Sequence, residues 1–91
     1  MTVRVRFFAT YRRLFGAKEV AAELPEGAGL EDLLERICDT PEKRAEVFEG
    51  RKLRGHVVVL VNGLPADASD LRAARLKGGD TVAVFPFMGG G

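Results

Sequence analysis

The sequence predicts an α+β fold in which one main helix packs on one face of a mixed β-sheet. Residues 2–9 and 18–24 alternate apolar and polar side chains with the period of two that is typical of half-buried strands. Residues 30–38 instead repeat their apolar side chains with the period of a helix. Two later apolar runs, residues 56–61 and 81–87, have the length and β-branched content of strands. Strands on both sides of a single main helix favour a helix layer on a sheet layer.

The first two predicted strands are expected to pair as an antiparallel hairpin, with a short turn region around Gly16 between them. Alternation within residues 2–9 and 18–24 defines one inward face. The side chains on that face are Val3, Val5, Phe7, Val20, Ala22 and Leu24. Phe8 is the exception, because the same alternation puts it on the opposite face with two arginines.

The main helix is predicted over residues 30–38. Its apolar face consists of Leu30, Leu33, Leu34, Ile37 and Cys38. Pro41 cannot continue a helix, so this helix is expected to end near Asp39. Thr40 is then a suitable N-cap for a second, short helix that begins at Pro41 and runs to about Phe48.

The second half of the chain supplies the remaining strands. Residues 56–61 are apolar throughout and are predicted as a strand buried on both faces or nearly so. Asn62 and Gly63 predict a tight hairpin turn, and Pro65 restricts the strand that follows to a sheet edge. In this ββαββ order, the helical crossover favours parallel pairing of the first strand with the last, residues 81–87, at the sheet centre. This is the topology of the β-grasp, or ubiquitin-like, fold.

Length and composition predict one cytoplasmic domain spanning residues 1–91. Apolar residues make up 46% of the chain and charged residues 30%, as in ordinary globular domains. The 14 basic and 13 acidic side chains give a net charge of +1, which provides no electrostatic reason to expect nucleic acid or a membrane as a partner. The first residues do not resemble a signal peptide, and no apolar run is long enough to span a bilayer.

The sequence offers little for autonomous catalysis, and we expect no enzyme and no metal site. Cys38 is the one cysteine and is predicted to be a buried, inert thiol. His56 is the one histidine and is expected to make a structural hydrogen bond or to contact solvent at a strand end. Five basic residues are predicted to be solvated rather than to form an anion site: Arg12, Arg13, Arg51, Lys52 and Arg54.

Two phenylalanines are predicted to form a surface for a partner protein. Strand alternation puts Phe8 and Phe85 on the sheet face away from the main helix, side by side if the first and last strands are neighbours. Clustered exposed aromatic side chains usually mark an interaction site. Phe87 would extend this surface toward the C-terminus. The alternative is a bulge or a different register that buries one of the two rings.

The closing residues, Met88 followed by Gly89, Gly90 and Gly91, predict a flexible tail over residues 88–91. A terminal glycine presents an ionised carboxylate without a neighbouring side chain, so it can enter a narrow channel in another protein. There the carboxylate can attack the α-phosphate of ATP to form an acyl-adenylate. The alternative is a frayed end without function.

Nearly the whole chain resembles the ubiquitin-like sulfur carriers, the family of the molybdopterin synthase small subunit (MoaD) and ThiS. The resemblance rests on four segments in order: VRVRFFATYRRLFG, ELPEGAGLEDLLERI, VLVNG and LKGGDTVAVFPFMGGG. Relatives of this kind often begin the main helix with a Ser or Thr cap, where this chain has Gly29. They also commonly have two prolines after the phenylalanine, whereas here Phe87 follows Pro86.

This resemblance implies a β-grasp protein that acts as a co-substrate of other enzymes and holds no stably bound cofactor. An E1-like activating enzyme would use ATP to adenylate Gly91, with Gly90 beside it, and the adenylate would become a thiocarboxylate. Phe8 and Phe85, with Phe87, Met88 and Gly89, would contact the activating enzyme or the large subunit of molybdopterin synthase.

Three functions follow as expectations. The first is sulfur donation, most directly to a pterin precursor in molybdenum cofactor biosynthesis, with cysteine or tRNA thiolation as other destinations. The second is a protein modifier joined to lysines through Gly91. The third is an interaction domain with an inert tail. The sequence does not choose the sulfur acceptor or the oligomeric state.

Overall fold

The computed structural model describes residues 1–87, and the elements follow the predicted order with several additions. The strands are β1 (Thr2–Phe7), β2 (Glu19–Glu23), β3 (Phe48–Glu49), β4 (Lys52–Leu53), β5 (Val57–Val61), β6 (Leu64–Pro65) and β7 (Thr81–Pro86). The α-helices are α1 (Tyr11–Phe15), α2 (Leu30–Ile37) and α3 (Pro41–Val47), and a 3-10 turn spans Leu71–Ala73. No helix of residues 1–87 is long and apolar enough to cross a membrane.

The main sheet confirms the predicted topology. Its strand order is β2-β1-β7-β5-β6, and β1 pairs with β7 in parallel at the centre. The other pairs, β1 with β2, β7 with β5 and β5 with β6, are antiparallel. The fold is therefore an α+β β-grasp fold with a mixed sheet.

The core lies between the inner face of the sheet and α2. Alternate residues of the central strands are fully buried there: Val3, Val5, Phe7, Val82 and Val84. From α2 they meet Leu30, Leu33 and Leu34, each completely buried, which confirms the predicted apolar face of this helix. Since these large side chains contribute about 1.5–3 kcal/mol each on burial, this layer is the main source of stability.

The connection between β1 and β2 is a helix, where the sequence predicted a turn region. Helix α1 forms because its aromatic side chains join the core. Tyr11 is buried, and the ring of Phe15 stacks on Phe7 with centroids 4.3 Å apart. Gly16 ends the helix in the left-handed conformation at φ 73°, which glycine adopts without steric cost. Strands β1 and β2 pair in antiparallel fashion as predicted, and this helix connects them in place of the predicted turn region.

The glycine at the start of α2 has a structural reason. A Cβ on Gly29 would lie 3.0 Å from the carbonyl oxygen of Ala74, which accepts a hydrogen bond from Leu30 N. A Ser or Thr cap would therefore crowd a backbone contact between the helix start and the loop before β7. The Gly29 N–H instead donates to the carboxylate of Asp32 at 2.8 Å, so the helix start is still capped.

The segment after α2 contains more structure than was predicted. Thr40 caps α3 as expected, accepting a hydrogen bond from Lys43 N at 3.2 Å. The predicted basic loop over residues 50–55 is in part a strand, because Leu53 pairs with Phe48 in a small separate hairpin and both side chains are buried. Periodicity could not indicate strands of two residues.

Strand β5 is buried on its inner face and partly buried on its outer face, within the prediction of burial on both faces or nearly so. Val57 and Val59 point into the core, whereas Val58 and Leu60 are partly exposed on the outer face. A run of apolar residues alone does not distinguish a strand covered on both sides from one whose outer face is an apolar surface.

Asp80 joins the two loops at one end of the sheet. Asn62 and Gly63 have φ values of 50° and 85°, the left-handed pair expected for the predicted tight turn between β5 and β6. The Asn62 amide donates to the Asp80 carboxylate at 3.0 Å, and Lys77 N donates to its other oxygen at 2.9 Å. In return, Thr81 N donates to the side-chain oxygen of Asn62 at 3.0 Å.

Asp80→Ala is expected to lower the free energy of unfolding by about 1–3 kcal/mol, because it leaves these donors without their acceptor. The hydrogen bonds from Asn62 and Lys77 lower the pKa of the Asp80 carboxyl. Its contribution is therefore complete above about pH 4 and is lost as the pH falls through the lowered pKa. Urea unfolding measured across this pH range should give a difference in the free energy of unfolding between wild type and variant that becomes smaller in acid. The control is Asp70→Ala at an exposed aspartate, and an equal loss there would contradict the assignment.

Candidate functional site

The outer face of the sheet carries an apolar surface at its centre. Strand pairing sets Phe85 of β7 opposite Val58 of β5, and Ala83 opposite Leu60. On the other side of β7, Ala83 lies opposite Arg6 of β1. Cross-strand partners share a face, so the apolar side chains of β5 and β7 form one continuous surface.

Phe8 and Phe85 lie side by side on this face, as predicted. Their ring centroids are 6.1 Å apart, and the rings meet edge to face at 86°. Neither ring is buried in the core, since both residues are partly exposed. The bulge or register shift that would have buried one of them does not occur.

Phe8, Leu60, Ala83 and Phe85 line a shallow depression with entirely apolar walls. We call these four residues the Phe8 depression. Sequence reasoning missed Leu60, because the apolar run around it suggested full burial. The signal that could have found it is parity: once β5 pairs with β7, Leu60 must share the face of Ala83 and Phe85.

The position of Phe8 depends on a left-handed residue that follows it. Strand β1 ends at Phe7, two residues earlier than predicted, and Ala9 adopts φ 53°. This conformation costs a residue with a Cβ about 1–2 kcal/mol and turns the chain directly into α1. Phe8 is thus held between the last residue of the central strand and a sharp turn.

Two arginines flank the Phe8 ring. The guanidinium carbons of Arg6 and Arg12 each lie 5.5 Å from its centroid, within cation–π range. Arg12 is oriented by a 3.0 Å hydrogen bond from its Nε to the carbonyl oxygen of Phe7. Arg6 lies 3.7 Å from Glu19, which also pairs with Arg4 at 3.2 Å. Arg12 is exposed, as predicted, but its side chain also contacts the backbone and an aromatic ring, which the sequence did not indicate.

Phe87 is the last described residue and 63% of it is exposed, as expected for an extension of the partner surface. Its N–H donates to the carbonyl oxygen of His56, so the chain still follows the start of β5 at this point. The predicted site residues Met88, Gly89, Gly90 and Gly91, and with them the predicted flexible tail, lie outside the described residues.

His56 makes the structural hydrogen bond that was predicted. Its Nε2 lies 2.5 Å from a Glu46 carboxylate oxygen, which also accepts a 2.8 Å hydrogen bond from the Tyr11 hydroxyl. The hydrogen bond with His56 lowers the pKa of the Glu46 carboxyl. Burial and the bond to Glu46 raise the pKa of Tyr11 well above its ordinary value. These contacts connect α1, α3 and the start of β5, and they give His56 a structural role.

The remaining candidate residues carry no chemistry of their own. Cys38 is 2% exposed, and burial raises the pKa of its thiol to about 12, which makes it a poor nucleophile as predicted. In the basic segment, Arg54 donates through Nε to the carbonyl oxygen of Ala45 at 2.6 Å, while Arg51 and Lys52 are exposed. Within residues 1–87, no three His, Cys, Asp or Glu side chains are grouped to hold a metal ion.

Comparison with known proteins gives a family match over most of the chain. The model of the ThiS family matches residues 5–91. The small archaeal modifier protein 3 of Haloferax volcanii is 33% identical over 92 residues, which covers the whole of both chains.

Solved structures agree in fold and in sequence. A putative molybdopterin converting factor subunit 1 from Pyrococcus furiosus is 39% identical, with a TM-score of 0.75 over 94% of this chain and 97% of that one. A chain in the BexX/CysO complex of Amycolatopsis orientalis is 26% identical, with a TM-score of 0.75 over 98% of this chain and 99% of that one.

Proposed function

Because this chain belongs to the ThiS family of ubiquitin-like proteins, we propose that it is a sulfur carrier whose terminal glycine, Gly91, is activated by adenylation and then carries sulfur as a thiocarboxylate. The observation that carries the proposal is the Phe8 depression, an apolar site for a partner on the strand that leads to the glycine segment. A carrier with no reactive side chain of its own needs such a site to present its carboxylate to an enzyme.

The proposed chemistry belongs to the partner enzymes, and the carrier is their co-substrate. A carboxylate oxygen of Gly91 attacks the α-phosphorus of ATP, and pyrophosphate leaves. Hydrosulfide, or a donor delivering its equivalent, then attacks the carbonyl carbon, a proton is released and AMP leaves with the bridging oxygen. The product is a thiocarboxylate, and transfer of its sulfur to an acceptor with addition of water restores the carboxylate. ATP is thus bound by the activating enzyme, and the carrier requires no resident cofactor.

Docking at the Phe8 depression is the part of this function that the described residues support. Strand pairing fixes the backbone of Leu60, Ala83 and Phe85, so little backbone ordering is needed when a partner covers them. The same surface serves the activating enzyme first and the sulfur-accepting enzyme later, so the two partners bind in turn rather than together.

Molybdenum cofactor biosynthesis is the destination we propose for the sulfur. The support is the 39% identity with a protein described as a putative molybdopterin converting factor subunit 1. In that role the acceptor enzyme would be the large subunit of molybdopterin synthase, and this chain would be the small, non-catalytic subunit.

Conjugation to proteins is the second candidate, because a relative matched over its whole length is a small archaeal modifier protein. The two functions share the adenylate and differ in the nucleophile that resolves it. A lysine amine in place of hydrosulfide gives an amide bond to the target, with loss of AMP and a proton. One protein can serve both functions if both nucleophiles reach the adenylate.

Intact-mass spectrometry tests the primary proposal. Protein purified from its source should first show that the mature chain ends at Gly91. Incubation with the activating enzyme, ATP and a sulfide donor should then convert part of it to a form with one oxygen replaced by sulfur, and omission of ATP should prevent this. Absence of any adenylate or thiocarboxylate with an enzyme that activates another carrier would contradict the proposal. Higher-mass conjugates in cell extract would support the second function.

A further inference from the structure

We infer that Arg6 and Arg12 are specificity-determining residues, and that the partner docking at the Phe8 depression carries carboxylate side chains beside its apolar contact. This inference rests on the proposed function and adds the chemistry by which the partner is recognised. Its basis is the uneven distribution of charge around the depression.

Among the residues that line the depression and the groove beside it, charge lies on the β1 side. The residues lining the depression and the groove beside it toward the Asn62–Gly63 turn include one charged side chain, Arg6. Arg12 flanks the same ring from α1, and Arg4 precedes Arg6 on the same face of β1. On the side toward the turn, the lining residues Asn62, Gly63 and Thr81 are uncharged. The docking surface is thus apolar at its centre and basic along the β1 edge.

This basic edge is not neutralised within the described residues. Glu19 is the carboxylate within ion-pair distance of both Arg4 and Arg6, so these two guanidinium groups share one carboxylate. Arg12 pairs with no carboxylate of residues 1–87 within ion-pair distance, and its observed hydrogen bond uses Nε alone. The two outer nitrogens of Arg12 have no carboxylate of residues 1–87 within ion-pair distance, and they belong to a guanidinium that lies beside the Phe8 ring.

The arginines are also held in place before binding. Both guanidinium carbons lie within cation–π range of the Phe8 ring, and the hydrogen bond to the Phe7 carbonyl oxygen orients Arg12. A guanidinium held in one orientation loses less freedom when it forms a bidentate pair with a carboxylate. Arginine beside an aromatic ring is a common composition for the energetic centre of an interface. Lysine would keep the charge but lacks the planar guanidinium group that forms a bidentate pair.

An acidic partner follows from charge complementarity. Opposed charges at the rim of an apolar contact mainly raise the association rate and exclude partners without matching charge. A partner surface with an apolar side chain and no carboxylate would partly cover both guanidinium groups without offering either of them a new ion pair. The depression thus selects for an apolar side chain flanked by Asp or Glu.

The test uses the full-length protein and the activating enzyme of the same organism, identified by carrier-dependent ATP–pyrophosphate exchange. The variant is Arg6→Gln with Arg12→Gln, and the control is Arg36→Gln with Arg51→Gln, which makes the same change in net charge at exposed positions away from the depression. We expect the KM for the carrier to rise about tenfold in the first variant, with kcat unchanged and a weaker dependence on salt. The control should change KM less than about twofold. Equal effects in the two variants would overturn the inference.

A second measurement does not depend on the enzyme. In NMR titrations, 4-phenylbutyrate should shift the amides around the Phe8 depression and bind more tightly than the neutral 4-phenylbutyramide. The Arg6→Gln, Arg12→Gln variant should abolish this preference. If the wild-type protein supports no exchange but shows the carboxylate preference, the proposed function fails and the charge assignment stands. Equal binding of both compounds would contradict the charge assignment itself.

Discussion

Deletion of Gly91 should abolish carrier-dependent ATP–pyrophosphate exchange while leaving the stability of the fold unchanged. The proposed acyl group is the carboxylate of this glycine, and after deletion the carboxylate of Gly90 falls one residue short of the same catalytic position. A displacement of that size removes the alignment of the attacking oxygen with the α-phosphorus, and we expect a loss of at least about 100-fold. Exchange kinetics and urea unfolding of the same preparation measure the two parts of the prediction.

The matched control for this deletion is Gly55→Ala. A Cβ at Gly55 would meet no other atom within 4 Å, so this variant alters a glycine without disturbing the fold. It should exchange pyrophosphate at the wild-type rate. Retention of full exchange by the deletion variant would show that activation does not require Gly91, whereas an inert tail would give no exchange with the wild-type protein either.

Leu60→Glu is expected to produce the second large effect, a rise of about 30-fold in the KM for the carrier. Leu60 belongs to the Phe8 depression, and a carboxylate there would have to lose its hydration beneath the partner. Residues at the centre of an interface typically cost 2 kcal/mol or more when changed, which corresponds to about 30-fold at 1.4 kcal/mol for each factor of ten. The side chain is on the outer face, so the urea midpoint should change little.

Leu64→Glu provides the comparison for this variant. Leu64 lies on β6 and is 71% exposed. Its replacement by glutamate makes the same chemical change as Leu60→Glu, but outside the depression. It should leave the KM within about twofold of wild type. If both substitutions raise the KM equally, the effect comes from charge on the whole protein and the depression is not the docking site.

Sequence reasoning predicted the β-grasp topology because each central element has a strong local signal. Val3, Val5 and Phe7 alternate in β1, Leu30 and Leu33 begin the apolar face of α2, and both patterns correspond to the buried positions in the structure. The parallel pairing of β1 with β7 followed from the order of elements. The placement of Phe8 and Phe85 on the outer face then followed from the alternation of side chains along the two strands.

The remaining features depend on contacts between distant residues. Leu60 was missed because its exposure depends on the absence of a layer over the outer face of the described sheet. Arg12 is exposed as predicted, but its contacts with the Phe7 carbonyl oxygen and the Phe8 ring could not be predicted, because they depend on the left-handed turn at Ala9. Gly29 had no explanation in sequence, since the Ala74 carbonyl that excludes a larger cap comes from a loop more than forty residues later.

The parallel pairing of β1 and β7 has a mechanical consequence. Thr2 begins one central strand and Pro86 ends the other, so a force applied between these two residues pulls the adjacent strands in opposite directions along their length. The hydrogen bonds of a parallel ladder then share the load in shear, rather than opening one after another. A partner that pulls on the segment after Pro86 while Thr2 is held would therefore have to break the hydrogen bonds between β1 and β7 together.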